Sequence, residues 1–216
     1  MSLLCNCPRG AALDDIPLFE CPESLGQVQK VIFQRIYKTG QTKNELIIST
    51  ADPKTKASWT PLIAAEDGTK IVQSPYIQAP TTEPGAARTY GGGNETLGGV
   101  EIIIGREATG FTGNILRASQ KTIKALKEYS CENVGVYLVD EFGRIAGLKQ
   151  ENGEDAPVFR PIPIGSFFVG DKNLGGLEEP DMNTVSWSFF PNWSDDLEIV
   201  VPEVFNALTD LVKVAP

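Results

Sequence analysis

The chain has 216 residues, which is enough for one large domain or two small ones. Its 28 Asp and Glu residues outnumber its 19 Lys and Arg residues, and the formal net charge of −9 argues against nucleic acid or an anionic membrane as the main partner. Because the sequence contains no histidine, the Ser-His-Asp and Cys-His relays and His-ligated zinc are excluded.

The N-terminal part, residues 1–27, is predicted to be an extension outside the core domain. It holds Cys5, Cys7 and Cys21, and the fourth cysteine, Cys131, stands far along the chain. This spacing is not that of a disulfide scaffold or of paired zinc knuckles, so we expect free thiols, no metal and no cofactor. The sequence shows no signal-peptide pattern and no apolar run of membrane-spanning length, which favours a cytoplasmic site of assembly and no membrane partner.

The core domain is predicted to span residues 28–201 and to consist mainly of strands. Most of its apolar residues occur in short runs bounded by Gly, Pro, Asn and Asp, which is the pattern of a β-sandwich or barrel. A Gly-containing turn inside 134–148 predicts a β-hairpin. The predicted strands are residues 28–37, 45–49, 61–65, 70–73, 100–104, 134–139, 144–148, 158–169, 184–190 and 197–201.

Residues 76–99 are predicted to form one long Gly/Pro-rich loop. They show little periodicity, and loops of this length in compact domains are uncommon and often functional. Apolar residues remain among the glycines, so the loop is expected to become ordered against a partner. The predicted inter-subunit contacts of this loop are Ile77, Tyr90 and Leu97.

A single amphipathic helix is predicted over residues 112–130. Ile115, Ile123 and Leu126 fall on one face at helical spacing, and this face is expected to pack on the sheet. The opposite face carries Arg117, Lys121 and Lys124, which we predict to be further inter-subunit contacts.

The last third of the chain is acidic. Residues 171–200 contain seven acidic residues and one basic residue, so a basic helix face and an acidic region could pair head to tail between copies. Asp195 and Asp196 are interpreted as a solvated turn and not as an acid and base pair, because adjacent residues on a strand point to opposite faces. Residues 202–216 are predicted to form a C-terminal segment with a short helix.

This layout resembles that of a bacteriophage tail tube protein or a related phage tail or neck ring protein. The segments that carry the resemblance are the loop 76–99, the helix 112–130 and the stretch 183–197. The resemblance implies a virion subunit, assembled in the host cytoplasm, that forms rings, typically hexameric, which stack into a tube and contact other tail proteins. Double-stranded DNA would pass through such a tube without specific binding, which an acidic chain permits.

Two alternatives remain open at this stage. A capsid decoration or neck ring protein would belong to the same biology. From another class, a polysaccharide-degrading domain with paired carboxylates, or a carbohydrate-binding domain, would use Asp and Glu or the tryptophans. We expect no catalytic site and therefore no enzyme, because the chain lacks histidine and its carboxylate cluster has unsuitable geometry.

Overall fold

The computed structural model describes residues 24–152 and 155–212. The three cysteines of the N-terminal extension, Cys5, Cys7 and Cys21, lie outside the described residues. The described part is mainly β, as predicted. Its helices are α1 (Lys56–Ala64), α2 (Gln120–Glu128) and α3 (Ala207–Asp210), and its strands are β1 (Val28–Arg35), β2 (Tyr37–Thr39), β3 (Thr42–Lys43), β4 (Leu46–Ile47), β5 (Ile71–Gln73), β6 (Gln78–Glu83), β7 (Ala87–Tyr90), β8 (Ile102–Arg106), β9 (Thr109–Leu116), β10 (Val134–Asp140), β11 (Ile145–Asn152), β12 (Asp155–Arg160), β13 (Ile162–Asn173), β14 (Met182–Phe189) and β15 (Leu197–Val200).

Eleven strands form one antiparallel sheet. Eight of them follow the order β4-β12-β11-β10-β13-β14-β9-β6. Of the other three, β1 pairs with β10, β5 pairs with β1, and β15 pairs with β11. Strand β13 links the two halves of this sheet. Its first residues pair with β10, and from Ile164 onward it pairs with β14. The register shifts between Gly165 and Phe168, where Ser166 has a positive φ of 53°. Such a bulge bends a strand, which lets β13 change partners.

Strand β10 lies between two apolar clusters, and all seven of its residues are buried. Val136 and Leu138 face the first cluster, which also contains Trp187 and Phe189 of β14 and the buried face of α2. The second cluster lies on the other face of β10 and contains its Tyr137 and Val139 together with Trp59 of α1 and Leu208 and Leu211 around α3. The core is therefore layered, with β10 in the middle.

The β-hairpin predicted for residues 134–148 is confirmed. Strands β10 and β11 pair antiparallel, with Leu138 opposite Ala146 and Val139 opposite Ile145. Asp140 lies at the turn and is fully buried. Its carboxylate accepts hydrogen bonds from the backbone N–H groups of Gly26, Phe142 and Arg144 and from Nε of Arg144. The turn is thus held by a buried and fully bonded carboxylate.

The helix predicted for residues 112–130 is shorter in the structure. Residues 109–116 form strand β9, in which Phe111, Gly113 and Ile115 alternate as buried positions. The helix α2 begins after Ser119, whose Oγ accepts a hydrogen bond from the backbone N–H of Thr122 at 3.1 Å. Ile115 fits both a helical and a strand period, which explains the wrong boundary. Packing through Ile123 and Leu126 is confirmed, since both are buried in the first cluster.

The strand predicted for residues 61–65 is also wrong, because these residues belong to α1 or follow it. Trp59, Leu62 and Ile63 stand at helical spacing and pack against the second cluster. A short apolar run does not distinguish a buried strand from a helix, and here packing selects the helix. Trp59 is fully buried, and its Nε1 donates to the carbonyl of Pro53 at 2.8 Å.

Residues 76–99 do not form one unstructured loop. Strand β6 joins the edge of the main sheet through β9, with Thr82 opposite Phe111 and Glu83 opposite Gly110. Strand β7 pairs with β8 in a separate two-stranded sheet. The side-chain pattern of this region does not indicate strands. Residues of β6 and β7 are ordered by backbone hydrogen bonds to β9 and β8, respectively.

Candidate assembly surfaces

A two-stranded arm, residues 84–108, continues the β6–β9 hairpin beyond the main sheet. Within it, Ala87 lies opposite Arg106 and Tyr90 lies opposite Ile102. At its base, the backbone N–H of Glu107 donates to the carbonyl of Ala86, and a side-chain hydrogen bond joins Arg106 to Asn192 of the turn after β14. The arm is therefore anchored at its base, and its two strands are bonded to each other.

The arm exposes apolar side chains. Ile103 is 62 % exposed and Ile104 is 60 % exposed, and Tyr90 and Val100 are exposed as well. The register of β7 and β8 shifts at Ile104, which has no partner on β7, and a bulge of this kind re-aims the side chains beside it. An isolated two-stranded hairpin is only marginally stable in water, and exposed apolar patches of this kind mark interaction sites.

The tip of the arm is shaped by glycines. Gly91, Gly92 and Gly93 have positive φ angles, and so do Gly98 and Gly99 in the short 3-10 turn Leu97–Gly99. This conformation is open to glycine at little cost and strained for other residues. The chain therefore reverses at the tip without bulky side chains at these five positions.

The structure separates the six predicted contact residues into three groups. Tyr90 is exposed on the arm, and Leu97 lies at its tip, where the Leu97 side chain is outside the described residues. Ile77 is 3 % exposed and packs in the first cluster, so we remove it from the proposed contacts. The remaining three, Arg117, Lys121 and Lys124, lie on or just before α2.

The sequence-based contact set did not include Ile103 and Ile104, although a strand was predicted over 100–104. The apolar run Val100-Glu-Ile-Ile-Ile was the available signal. Its residues are typical of a buried strand, and only the position of β8 outside the main sheet shows that they are exposed. Burial cannot be read from a short apolar run alone.

The basic face of α2 is partly neutralised within the subunit. Nζ of Lys127 lies 2.5 Å from Oδ1 of Asp171, and this hydrogen bond and the positive charge lower the pKa of Asp171 below its ordinary value. Lys172 lies 3.7 Å from Asp181. Lys121 and Lys124 are exposed, and neither forms an ion pair with the described residues.

A groove of about 900 Å³ separates α2 from the ends of β13 and β14. Asn183, which is 2 % exposed, lies in its wall. The Nδ2 group of Asn183 donates to the carbonyl of Gly170 at 3.1 Å, which fixes the orientation of the amide. Its buried Oδ1 has no hydrogen-bond partner among the described residues. The groove is also lined by Gln120, Lys121, Ile123, Lys124, Lys127, Asp171 and Lys172.

Asp195 and Asp196 lie in the turn between β14 and β15, and both are exposed. The backbone N–H of Asp195 donates to the carbonyl of Asn192, and the carbonyl of Asp196 accepts from Lys149. Neither carboxylate forms an ion pair with residues in the described ranges. This placement puts two unpaired negative charges near the base of the arm.

Two further features are absent from the part of the chain that the structure describes. Residues 24–152 and 155–212 contain no group of three or more Cys, Asp or Glu placed to hold a metal ion. None of their helices has the length and apolar character needed to cross a membrane.

Comparison with known proteins identifies no family for this chain. No family profile matches the sequence, and no curated protein matches it. Among solved structures, a chain from the tail of an empty GTA particle, computed with C6 symmetry, aligns over 62 % of this chain and 87 % of its own length at 11 % identity and a TM-score of 0.32. A chain from the anti-feeding prophage baseplate, 6-fold symmetrised, aligns over 85 % of this chain and 99 % of its own length at 9 % identity and a TM-score of 0.33. Both solved structures are thus parts of tail or baseplate assemblies, at scores too low to establish a shared fold.

Proposed function

We propose that this chain is a structural subunit of a virion that self-assembles through its arm into rings, which stack into a phage tail tube. The observation that carries the proposal is the arm at residues 84–108, which extends beyond the main sheet and exposes two adjacent isoleucines. The tail and baseplate structures described above belong to the same class of assembly, but the proposal does not depend on them.

The exposed apolar residues of the arm favour association with another copy. Burying one Ile or Val side chain contributes about 1.5–3 kcal/mol, so covering Val100, Ile103 and Ile104 would offset a substantial part of the cost of association. Because these side chains lie outside the main sheet of their own subunit, a neighbouring subunit must cover them. An arm that lies between two neighbouring subunits meets this requirement.

The charge of the chain suits a conduit for DNA. A protein binds the DNA backbone by placing Lys and Arg against phosphates, and each such contact adds to affinity. A subunit with a net charge of −9 offers a predominantly repulsive surface to double-stranded DNA. DNA would therefore pass without specific binding, and other tail proteins would be the remaining partners.

We also propose that the chain is not an enzyme. If the chain were a glycosidase, Asp195 and Asp196 would be its candidate catalytic carboxylates. Both lie exposed on a turn, whereas a substrate site is expected in a cleft. A decoration protein or neck ring protein remains the alternative within the same biology, and it differs from the tail tube in the kind of assembly that it forms.

The test is removal of the arm without disturbing the sheet. Replacing residues 88–105 by Asn-Gly keeps the Ala87–Arg106 pair and closes it with a two-residue turn of favoured type. The expected result is a stable monomer that forms neither rings nor tubes in sedimentation velocity and negative-stain microscopy. Tubes formed by this variant at the same concentration as the parent would contradict the proposal.

A point variant supplies a milder test with a matched control. The double variant Ile103→Ser/Ile104→Ser should melt like the parent and yet assemble only at higher concentration, because its side chains are exposed in the monomer. Val204 is 94 % exposed and lies far from the arm in sequence, so Val204→Ser is the control and should assemble like the parent.

A further inference from the structure

The two ends of β14 bear different surfaces. Met182, at the start of the strand, lies opposite Leu116, and Phe189, at its end, lies opposite Thr109. The strand has eight residues, so at about 3.4 Å per residue its ends lie roughly 24 Å apart. Side chains at one end therefore cannot contact those at the other end within one subunit.

The Phe189 end, here called the arm end, carries the arm and the acidic turn 190–196. The arm leaves the main sheet where Glu83 pairs with Gly110, beside the end of β14. Arg106 of the arm bonds to Asn192 of the turn, which fixes the two features relative to each other. Asp195 and Asp196 are exposed at this end and form no ion pair with the described residues.

The Met182 end, here called the helix end, carries the groove beside α2. Two of the lysines that line the groove, Lys121 and Lys124, form no ion pair with the described residues, whereas Lys127 and Lys172 are bonded to Asp171 and Asp181. Of the acidic residues in the β13–β14 loop, Glu179 and Asp181 line a separate hollow with Arg117 and Lys172, and Glu178 lines neither hollow. Leu174 and Leu177 of the same loop are exposed at this end.

The lysines of the groove indicate its ligand. Lys121 and Lys124 present two exposed ammonium groups that form no ion pair with the described residues. The ligand class indicated by the groove therefore carries carboxylates, as an acidic turn of a protein does.

We propose that the helix-end groove of one copy receives the acidic turn 190–196 of a second copy. This inference rests on the proposed function and names the surface that completes the contact made by the arm. Lys121 and Lys124 would lie against Asp195 and Asp196. Because the two surfaces differ, the contact is heterologous and repeats head to tail in a ring or stack.

A charge-reversal experiment on the full chain tests this pairing. The first variant is Lys121→Glu/Lys124→Glu, and the second is Asp195→Lys/Asp196→Lys. Each places like charges at every head-to-tail contact, so each should raise the concentration needed for assembly at least tenfold. Since all four residues are exposed, thermal melting of both monomers should match that of the parent.

Mixing the two variants gives the decisive result. In an equimolar mixture, every contact between unlike copies again pairs opposite charges, so assembly should return to within about threefold of the parent. Lys38→Glu/Lys43→Glu changes two exposed lysines away from the groove and is the matched control, which should assemble like the parent. The mixture should also contain the two variants in equal amounts within each assembly, as read by mass spectrometry.

The outcomes separate the inference from the proposed function. If the charge-reversed variants assemble like the parent while the arm-truncated variant does not, the groove contact is wrong and the arm proposal stands. If reversal blocks assembly but mixing fails to restore it, the pairing of these two surfaces is wrong. If the parent itself does not assemble at any concentration, both proposals are overturned.

Discussion

Asp140 provides the sharpest test of the fold, and the informative change is Asp140→Asn. The carboxylate is fully buried, and its two oxygens divide four donors between them. Oδ1 accepts from the backbone N–H groups of Phe142 and Arg144 at 3.0 and 2.9 Å. Oδ2 accepts from the backbone N–H of Gly26 at 3.1 Å and from Nε of Arg144 at 2.6 Å.

An asparagine can satisfy only half of this arrangement. Its oxygen can keep the two bonds of Oδ1, but its NH₂ group would then face the donors of Gly26 and Arg144. Loss of two charge-assisted hydrogen bonds, at about 1.5–3 kcal/mol each, predicts a destabilisation of about 3–6 kcal/mol. Because the Arg144 side chain is partly exposed, we expect the lower part of this range, about 3–5 kcal/mol.

Urea unfolding followed by tryptophan fluorescence measures this change. A loss of this size should also lower the melting temperature by roughly 6–20 °C for a chain of this length. Glu141→Gln, at the exposed neighbouring position, is the matched control and should stay within about 0.5 kcal/mol of the parent. A loss below about 1 kcal/mol for Asp140→Asn would refute the structural role assigned to the carboxylate.

Three further predictions concern α2 and the sheet. Leu126→Asp should destabilise the protein by several kcal/mol in urea unfolding, because it buries an unpaired carboxylate in the first cluster; a parent-like midpoint would contradict the packing of α2. Gly147→Ala should lower the free energy of unfolding by about 1–3 kcal/mol, because the added Cβ would meet Phe159 at 2.6 Å and Tyr137 at 2.9 Å. An unchanged melting temperature would contradict this position of the two rings. In an NMR titration, the pKa of Asp171 should lie below its ordinary 3.8 in the parent and return towards 3.8 in Lys127→Met. The stability contributed by this pair is therefore present above pH 3.8 and is lost as the pH falls through the folded-state pKa. Equal pKa values of Asp171 in both proteins would exclude the Lys127–Asp171 contact in solution.

Strands with a strong alternation were predictable from the sequence. Val185, Trp187 and Phe189 alternate with polar residues in β14, and the structure buries these three. The hairpin at 134–148 was predictable because two apolar runs flank a Gly-containing turn. In both cases, the local pattern and the tertiary burial agree.

The arm was not predictable as a pair of strands. The side chains of β6 and β7 are almost all exposed, so they carry no apolar period, and their Gly and Pro neighbours indicate a loop. Their order comes from backbone pairing with β9 and β8. The boundary of α2 failed for a related reason, since pairing with β6 and β14 places residues 109–116 in a strand.

The candidate surfaces were predictable only in part. Lys121 and Lys124 were identified from their helical spacing on the polar face of α2. The isolation of these lysines from acidic partners, and the orphaned Oδ1 of Asn183, depend on how β13, β14 and α2 meet. Sequence spacing contains no information on such contacts between distant segments.

The most direct test of the central claim, self-assembly through the arm, is electron cryomicroscopy of the purified full chain at rising concentration. We expect closed rings or stacked tubes in which residues 84–108 of each subunit lie between neighbours, with Ile103 and Ile104 covered by a neighbouring subunit. A protein that remains monomeric at every concentration, or an assembly in which the arm contacts no neighbouring subunit, would contradict the account.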